Sequence, residues 1–179
     1  SRAPAFADGS IAPGTLAGLV APGHCVWICA THPGCDACAI GRHFGRPGHR
    51  FWPALHRSGF TPRQLAPWEE DQLLDLGLGI TNLVARTTAV ATELSAEELR
   101  EGGGLLLARL ERYRPAWLGM LGLGSYRSAF GFARAVVGPQ PEMLGPSRVW
   151  LLPNPSGLNA HYQLDSLAAE FARLRFAVG

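Results

Sequence analysis

The sequence predicts an α/β protein, a single domain on a central, mostly parallel sheet of about four to five strands with helices on both faces. Short apolar segments at 25–31, 77–84, 116–123 and 148–153 are each bounded by Gly or Pro, as buried strands are. Helical patterns stand between them, so successive strands need crossovers and run parallel. A chain of 179 residues, 47% of them hydrophobic, is long enough to bury one core.

Residues 1–24 are rich in Ala, Gly and Pro without periodicity and read as a loosely structured N-terminal arm, leaving 25–179 as the folded domain. The first strand carries Cys25 and Cys29 on one face by period-two alternation. With Cys35 and Cys38 they make a C-x3-C-x5-C-x2-C spacing that fits no zinc ribbon or common iron–sulfur run. Small buried hydrophobes in a reducing cytoplasm are the plainer reading, with a metal or redox role as the alternatives. Pro67–Leu76 opens with Glu69, Glu70 and Asp71, acids that suit a helix N-terminus, and Asp71 and Asp75 read most easily as solvated helix acids. Ser95 followed by Glu98 is a capping box for a helix through about Arg112, weakened by Gly102, Gly103 and Gly104. Tyr126–Val137 and Gln163–Val178 complete the helices, the last with Leu164, Leu167, Ala168, Phe171 and Leu174 inward.

All 16 basic residues are Arg, against 14 acids, for a formal net charge of +2. With no Lys there is no side-chain amine for Schiff-base catalysis or for a P-loop, which excludes lysine-dependent aldolases, PLP enzymes and P-loop NTPases and leaves an N-terminal amine as the remaining alternative. The balance also excludes a polycation or an acidic disordered tail. No apolar run approaches the ~20 residues of a bilayer span and no signal-peptide layout is present, so a soluble, cytoplasmic protein without membrane contact is expected.

In open α/β sheets ligands collect beyond the carboxyl ends of the strands. Polar, imidazole, aromatic and Arg groups follow three of the four strands. Ala30–Asp36 leads into Gly41–Trp52 after the first, Thr81–Thr88 closes the second, and Pro153–Asn159 follows the fourth.

These segments resemble the mismatch-specific uracil/thymine-DNA glycosylases of the uracil-DNA glycosylase superfamily, from about Cys25 to the last helix. Gly41–Trp52 is similar to G-[HR]-H-[FY]-x-x-P-G-N-R-F-W, Gly79–Thr88 to G-I-T-N-L-V-x-R-x-T, and Leu152–Leu158 to L-P-N-P-S-G-L. The three occur in family order, with Ser95–Leu99 and Gly102-Gly103 in the expected connection. The resemblance implies a glycosylase domain over 25–179 that acts as a monomer on double-stranded DNA carrying a G·U or G·T mismatch. It would rotate the target nucleotide into a pocket, cut the base–sugar bond and leave an abasic site, with no cofactor or metal. Phe44 matches the aromatic on which the base stacks, and Asn82 the amide that reads its edge. Thr31 and His43 flank the pocket. In the segment inserted into the duplex, Leu158 would fill the vacated space while Asn154, Ser156, Gly157 and Asn159 approach the unpaired guanine and nearby phosphates. Arg46, Arg50 and Arg86 are candidate phosphate contacts.

The departure from the family lies after the first strand. Where the pattern has G-I-N-P-G, with the Asn placing the attacking water, this chain reads Ala30-Thr31-His32-Pro33-Gly34. Either His32 takes that task, or a carboxylate does so as in sugar hydrolysis, with Asp36 and Asp75 as candidates. His49 replaces the Asn of P-G-N-R-F-W. A lesion-binding module without catalysis and a nucleoside hydrolase on a similar sheet remain as alternatives.

Overall fold

The computed structural model describes residues 25–32, 43–86 and 94–179; the N-terminal arm, Asp36, Cys35 and Cys38 lie outside them. Five strands form one sheet in the order β2-β1-β3-β5-β4. β1 (Val26–Ala30), β2 (Leu78–Asn82), β3 (Trp117–Leu121) and β5 (Arg148–Leu152) run parallel, and the two-residue β4 (Gly138–Pro139) pairs antiparallel at the edge. The connection from β1 runs to one side of the sheet and the connection from β3 to the other, so the strand order reverses between β1 and β3. In open α/β sheets such a switch point, at the strands' C-terminal ends, is where ligands bind.

Alternation along the strands divides the core in two. Val26, Ile28 and Ala30 of β1 face one layer, with Ile80, Leu121 and Leu152, under α1 (Phe51–Arg57) and α5 (Leu164–Val178). Trp27 and Cys29 face the other, with Met120, Val149 and Leu151, under α3 (Ala96–Tyr113) and α4 (Leu123–Phe130). Both sheet faces are dry, which explains the near-continuous apolar strands. On α5, Leu167, Ala168, Phe171 and Leu174 are buried at helical spacing, each large side chain contributing about 1.5–3 kcal/mol by burial.

Four local expectations change. The Pro67–Leu76 segment is a 3-10 turn at Pro67–Glu69 followed by the four-residue α2 (Gln72–Asp75), and Glu70 between them is buried. The helix expected at Tyr126–Val137 begins at Leu123 and stops at Phe130, because Gly131 takes φ +75° as a left-handed cap. Phe51 and Trp52, expected in a loop, open α1, where Pro53 is tolerated in the first turn. Cys25 precedes β1 and is exposed, whereas Cys29 is buried and desolvation pushes its thiol up to about 12.

The three glycines of α3 differ in role. A Cβ on Gly102 would stand 2.3 Å from the Leu83 carbonyl oxygen, and one on Gly103 3.1 Å from the Phe130 ring; Gly104 faces open space. Gly102 therefore seats α3 directly on the exit of β2. Among the described residues no helix is long and apolar enough to cross a membrane.

Candidate functional site

The rim is assembled where β1 and β2 end. Ala30 pairs with Asn82 in the parallel ladder, and the next amides continue it: Leu83 N–H donates to Ala30 O and Val84 N–H to Thr31 O, both at 2.8 Å. Thr31 thus runs alongside Leu83 and Val84, one residue beyond the Ala30–Asn82 pair, and His32 follows it. Asn82 is buried, and its carbonyl accepts a 2.7 Å bond from Arg109 Nη2 on α3. Thr31 is buried as well, and its hydroxyl lies 2.7 Å from Ser125 Oγ on α4, bridging the switch point between β1 and β3. His32 is half-buried at the mouth of the same step. Asp75 does not join them. It ends α2 just ahead of β2, exposed, at the opposite, N-terminal edge of the sheet.

Phe44 occupies a strained position. Its φ of +53° is left-handed, which an aromatic residue adopts only at a cost of about 1–2 kcal/mol. The neighbours hold it there. Its ring stacks on Phe51 at 4.0 Å and lies 5.0 Å from His49, and it packs against the core layer that contains Ala30 and Ile80.

The residue before it, His43, is buried and tied to Glu70. Glu70 Oε2 accepts both the His43 backbone N–H and Nδ1, each at 2.9 Å. A carboxylate can only accept, so Nδ1 carries the proton. Trp52 Nε1 donates to the His43 carbonyl at 3.2 Å, while His43 Nε2 is buried and makes no hydrogen bond among the described residues. Glu70 and Ser125 are the site neighbours that sequence reasoning missed.

The Asn154–Asn159 loop is braced internally. Asn154 Oδ1 accepts from Ser156 N–H at 3.0 Å, Ser156 Oγ from Leu158 N–H at 3.2 Å, and Asn159 Oδ1 from His161 N–H at 3.0 Å. Asn159 Nδ2 donates to Asn154 O at 3.0 Å. The polar side chains of the loop therefore shape it, and Leu158 projects from it, 66% exposed. Gly157 lets the loop approach its neighbour: a Cβ there would stand 3.1 Å from Gly48 O.

The three arginines differ. Arg46 is exposed. Arg86 makes a two-pronged pair with Glu98, at 2.9 and 3.1 Å, on the surface beside α3. Arg50 is half-buried and directs its guanidinium at backbone carbonyls of the Asn154–Asn159 loop and of Tyr162. His49, between Arg46 and Arg50, is lowered to about 4, mainly by burial and then by the two guanidiniums, and its Nδ1 accepts the Phe51 N–H at 3.2 Å.

The parallel-sheet switch point thus has Thr31 and His32 just past the end of β1 and Asn82 at the end of the adjacent β2. The Phe44 loop is joined to an apolar-tipped loop after β5. The family model described as the uracil DNA glycosylase superfamily matches residues 17–175. The chain belongs to the uracil DNA glycosylase superfamily. Membership makes it a DNA glycosylase of base excision repair, a hydrolase acting on uracil in DNA, and the five-stranded α/β sheet agrees with that fold.

Proposed function

We propose that the protein is a monomeric, monofunctional glycosylase that releases uracil mispaired with guanine in cytoplasmic DNA, with thymine and other damaged pyrimidines as further candidates. The observation that carries this reading is the joining of the Phe44 loop to the Leu158 loop through Gly48 and Gly157. An aromatic stacking surface and an apolar tip are what base extrusion needs. The wedge holds open a duplex whose unstacking costs a few kcal/mol, and the ring receives the pyrimidine.

In this reading Phe44 stacks on the base, while Asn82, with its backbone held by Arg109, reads the edge. Thr31 and His43 line the pocket. The attacking water is served by His32 or by Asp36, which lies outside the described residues. Asp75, on the far edge of the sheet, is the weakest of the three candidates. Without lysine, bond cleavage proceeds through water and no strand nicking accompanies it. Arg46 and Arg86, both exposed, are the candidate phosphate contacts.

The test is a labelled duplex with a single G·U pair, incubated with enzyme and split in two, one half then treated with hot alkali. Strand breaks only in the alkali-treated half are expected. Breaks before alkali would reject the monofunctional reading, and intact strands after alkali would leave a lesion binder. Release from A·U as fast as from G·U would remove the mismatch preference. Ala variants of His32 and Asp36 identify the water-serving group by the larger loss of kcat.

A further inference from the structure

Arg50 stood among the phosphate contacts, but its surroundings describe another task. Its backbone N–H donates to Pro155 O at 3.1 Å. From the guanidinium, Nη1 donates to Tyr162 O, and Nη2 to both Ser156 O and Asn159 O, the last at 3.1 Å. Nε is buried. Four carbonyls of one loop therefore converge on one arginine that belongs to another loop. The planar fork suits this, because it sends several N–H groups in fixed directions, which the point charge of an ammonium does not. The contacts fall on both sides of Leu158, so the guanidinium closes the base of the loop whose tip that residue forms.

We propose that Arg50 is a positioning residue: it staples the Asn154–Tyr162 loop to the Phe44 loop and so sets where the Leu158 tip enters the duplex. This rests on the glycosylase reading and deepens it. The staple keeps the stacking ring and the wedge in one spatial relation, so extrusion and capture of the base are geometrically coupled. A residue that neutralises a phosphate would show in the salt dependence of binding. A residue that braces a loop would not.

The test compares wild type with Arg50→Lys and Arg50→Met. Amide exchange at Ser156, Leu158, Asn159 and His161 is expected to quicken at least tenfold in both, with exchange in β1 and β3 unchanged. On a G·U duplex both variants are expected to lose at least tenfold in kcat with KM within threefold. On single-stranded uracil DNA, where no wedge is needed, the loss is expected to be threefold or less. The slope of log affinity against log salt should stay at its wild-type value in Arg50→Met. A slope smaller by about 1, or wild-type loop exchange in Arg50→Lys, would overturn the proposal. Should the Arg50 variants fail to fold, Gly157→Ala forces the same two loops apart at Gly48 O, and wild-type exchange and turnover in it would overturn the proposal equally. Failure of the wild type to release uracil from any DNA would defeat the functional reading instead, while loop exchange would still report on the staple.

Discussion

Glu70 Oε2 holds both the backbone N–H and the imidazole Nδ1 of His43, a residue 27 positions earlier in the chain. One buried carboxylate thereby fixes a side chain and the backbone on which the left-handed Phe44 depends. Breaking such a pair leaves two buried donors without an acceptor. Glu70→Ala is expected to lower the unfolding free energy by about 3 kcal/mol, read as a shift of the urea midpoint, and Glu70→Gln by less, since its amide oxygen still accepts one bond. Equal midpoints for wild type and Glu70→Ala would show that the pair contributes nothing to the fold.

Acid should loosen the same region through His49. Its folded value near 4 lies below the ordinary 6.5, so the unfolded chain binds the proton more readily. Stability is complete above about pH 6.5 and falls as the pH drops toward 4, by up to about 3 kcal/mol from this group. Protonation at Nδ1 also removes the acceptor of the Phe51 N–H. His49→Asn keeps an acceptor oxygen and does not titrate, so its denaturation midpoint should decline less steeply between pH 6.5 and 4.5. Parallel declines would assign the acid sensitivity elsewhere.

Gly102 and Gly104 make a controlled pair within α3. Gly104→Ala enters open space and should stabilise by about 0.5–1 kcal/mol through helix propensity. Gly102→Ala meets the Leu83 carbonyl at 2.3 Å, and overpacking of about 1–3 kcal/mol outweighs the same gain. Because Leu83 follows Asn82, the Gly102 variant should also raise KM for uracil DNA, whereas the Gly104 variant should not. Thermal midpoints moving in the same direction would refute the close-approach account.

Leu158 is exposed, so its truncation should leave stability within about 0.5 kcal/mol. On the proposed reading Leu158→Ala slows turnover on duplex more than on single-stranded DNA. Equal losses on the two substrates would remove the wedge role.

The four parallel strands were legible because Gly or Pro stands just before each one and both sheet faces are buried. β4 was not, since two residues ending in Pro139 carry no periodicity. α1 escaped because only seven residues form it and no side chain caps its start. The loops of the candidate site could be picked out by their composition and family resemblance, and the parallel register then set Thr31 one residue beyond the Ala30–Asn82 pair. Three things were hidden for a common reason. The burial of Glu70, the bridge from Thr31 to Ser125 and the grip of Arg50 on the Asn154–Tyr162 loop all join residues far apart in sequence. Locally, Glu70 is one acid among three at a helix start, and its partner is named only when the chain folds. Asp75 misled for the converse reason: nearness in sequence to β2 puts it at the wrong end of that strand.

The bracing of the loop after β5 uses backbone groups, the Arg50 guanidinium and the short side chains of Asn154, Ser156 and Asn159, and none of these bonds involves the side chain of Leu158. Frame and tip are therefore chemically independent. A bulkier or aromatic residue could be grafted at position 158 to suit a different gap in the helix, and the scaffold beneath would not have to be rebuilt.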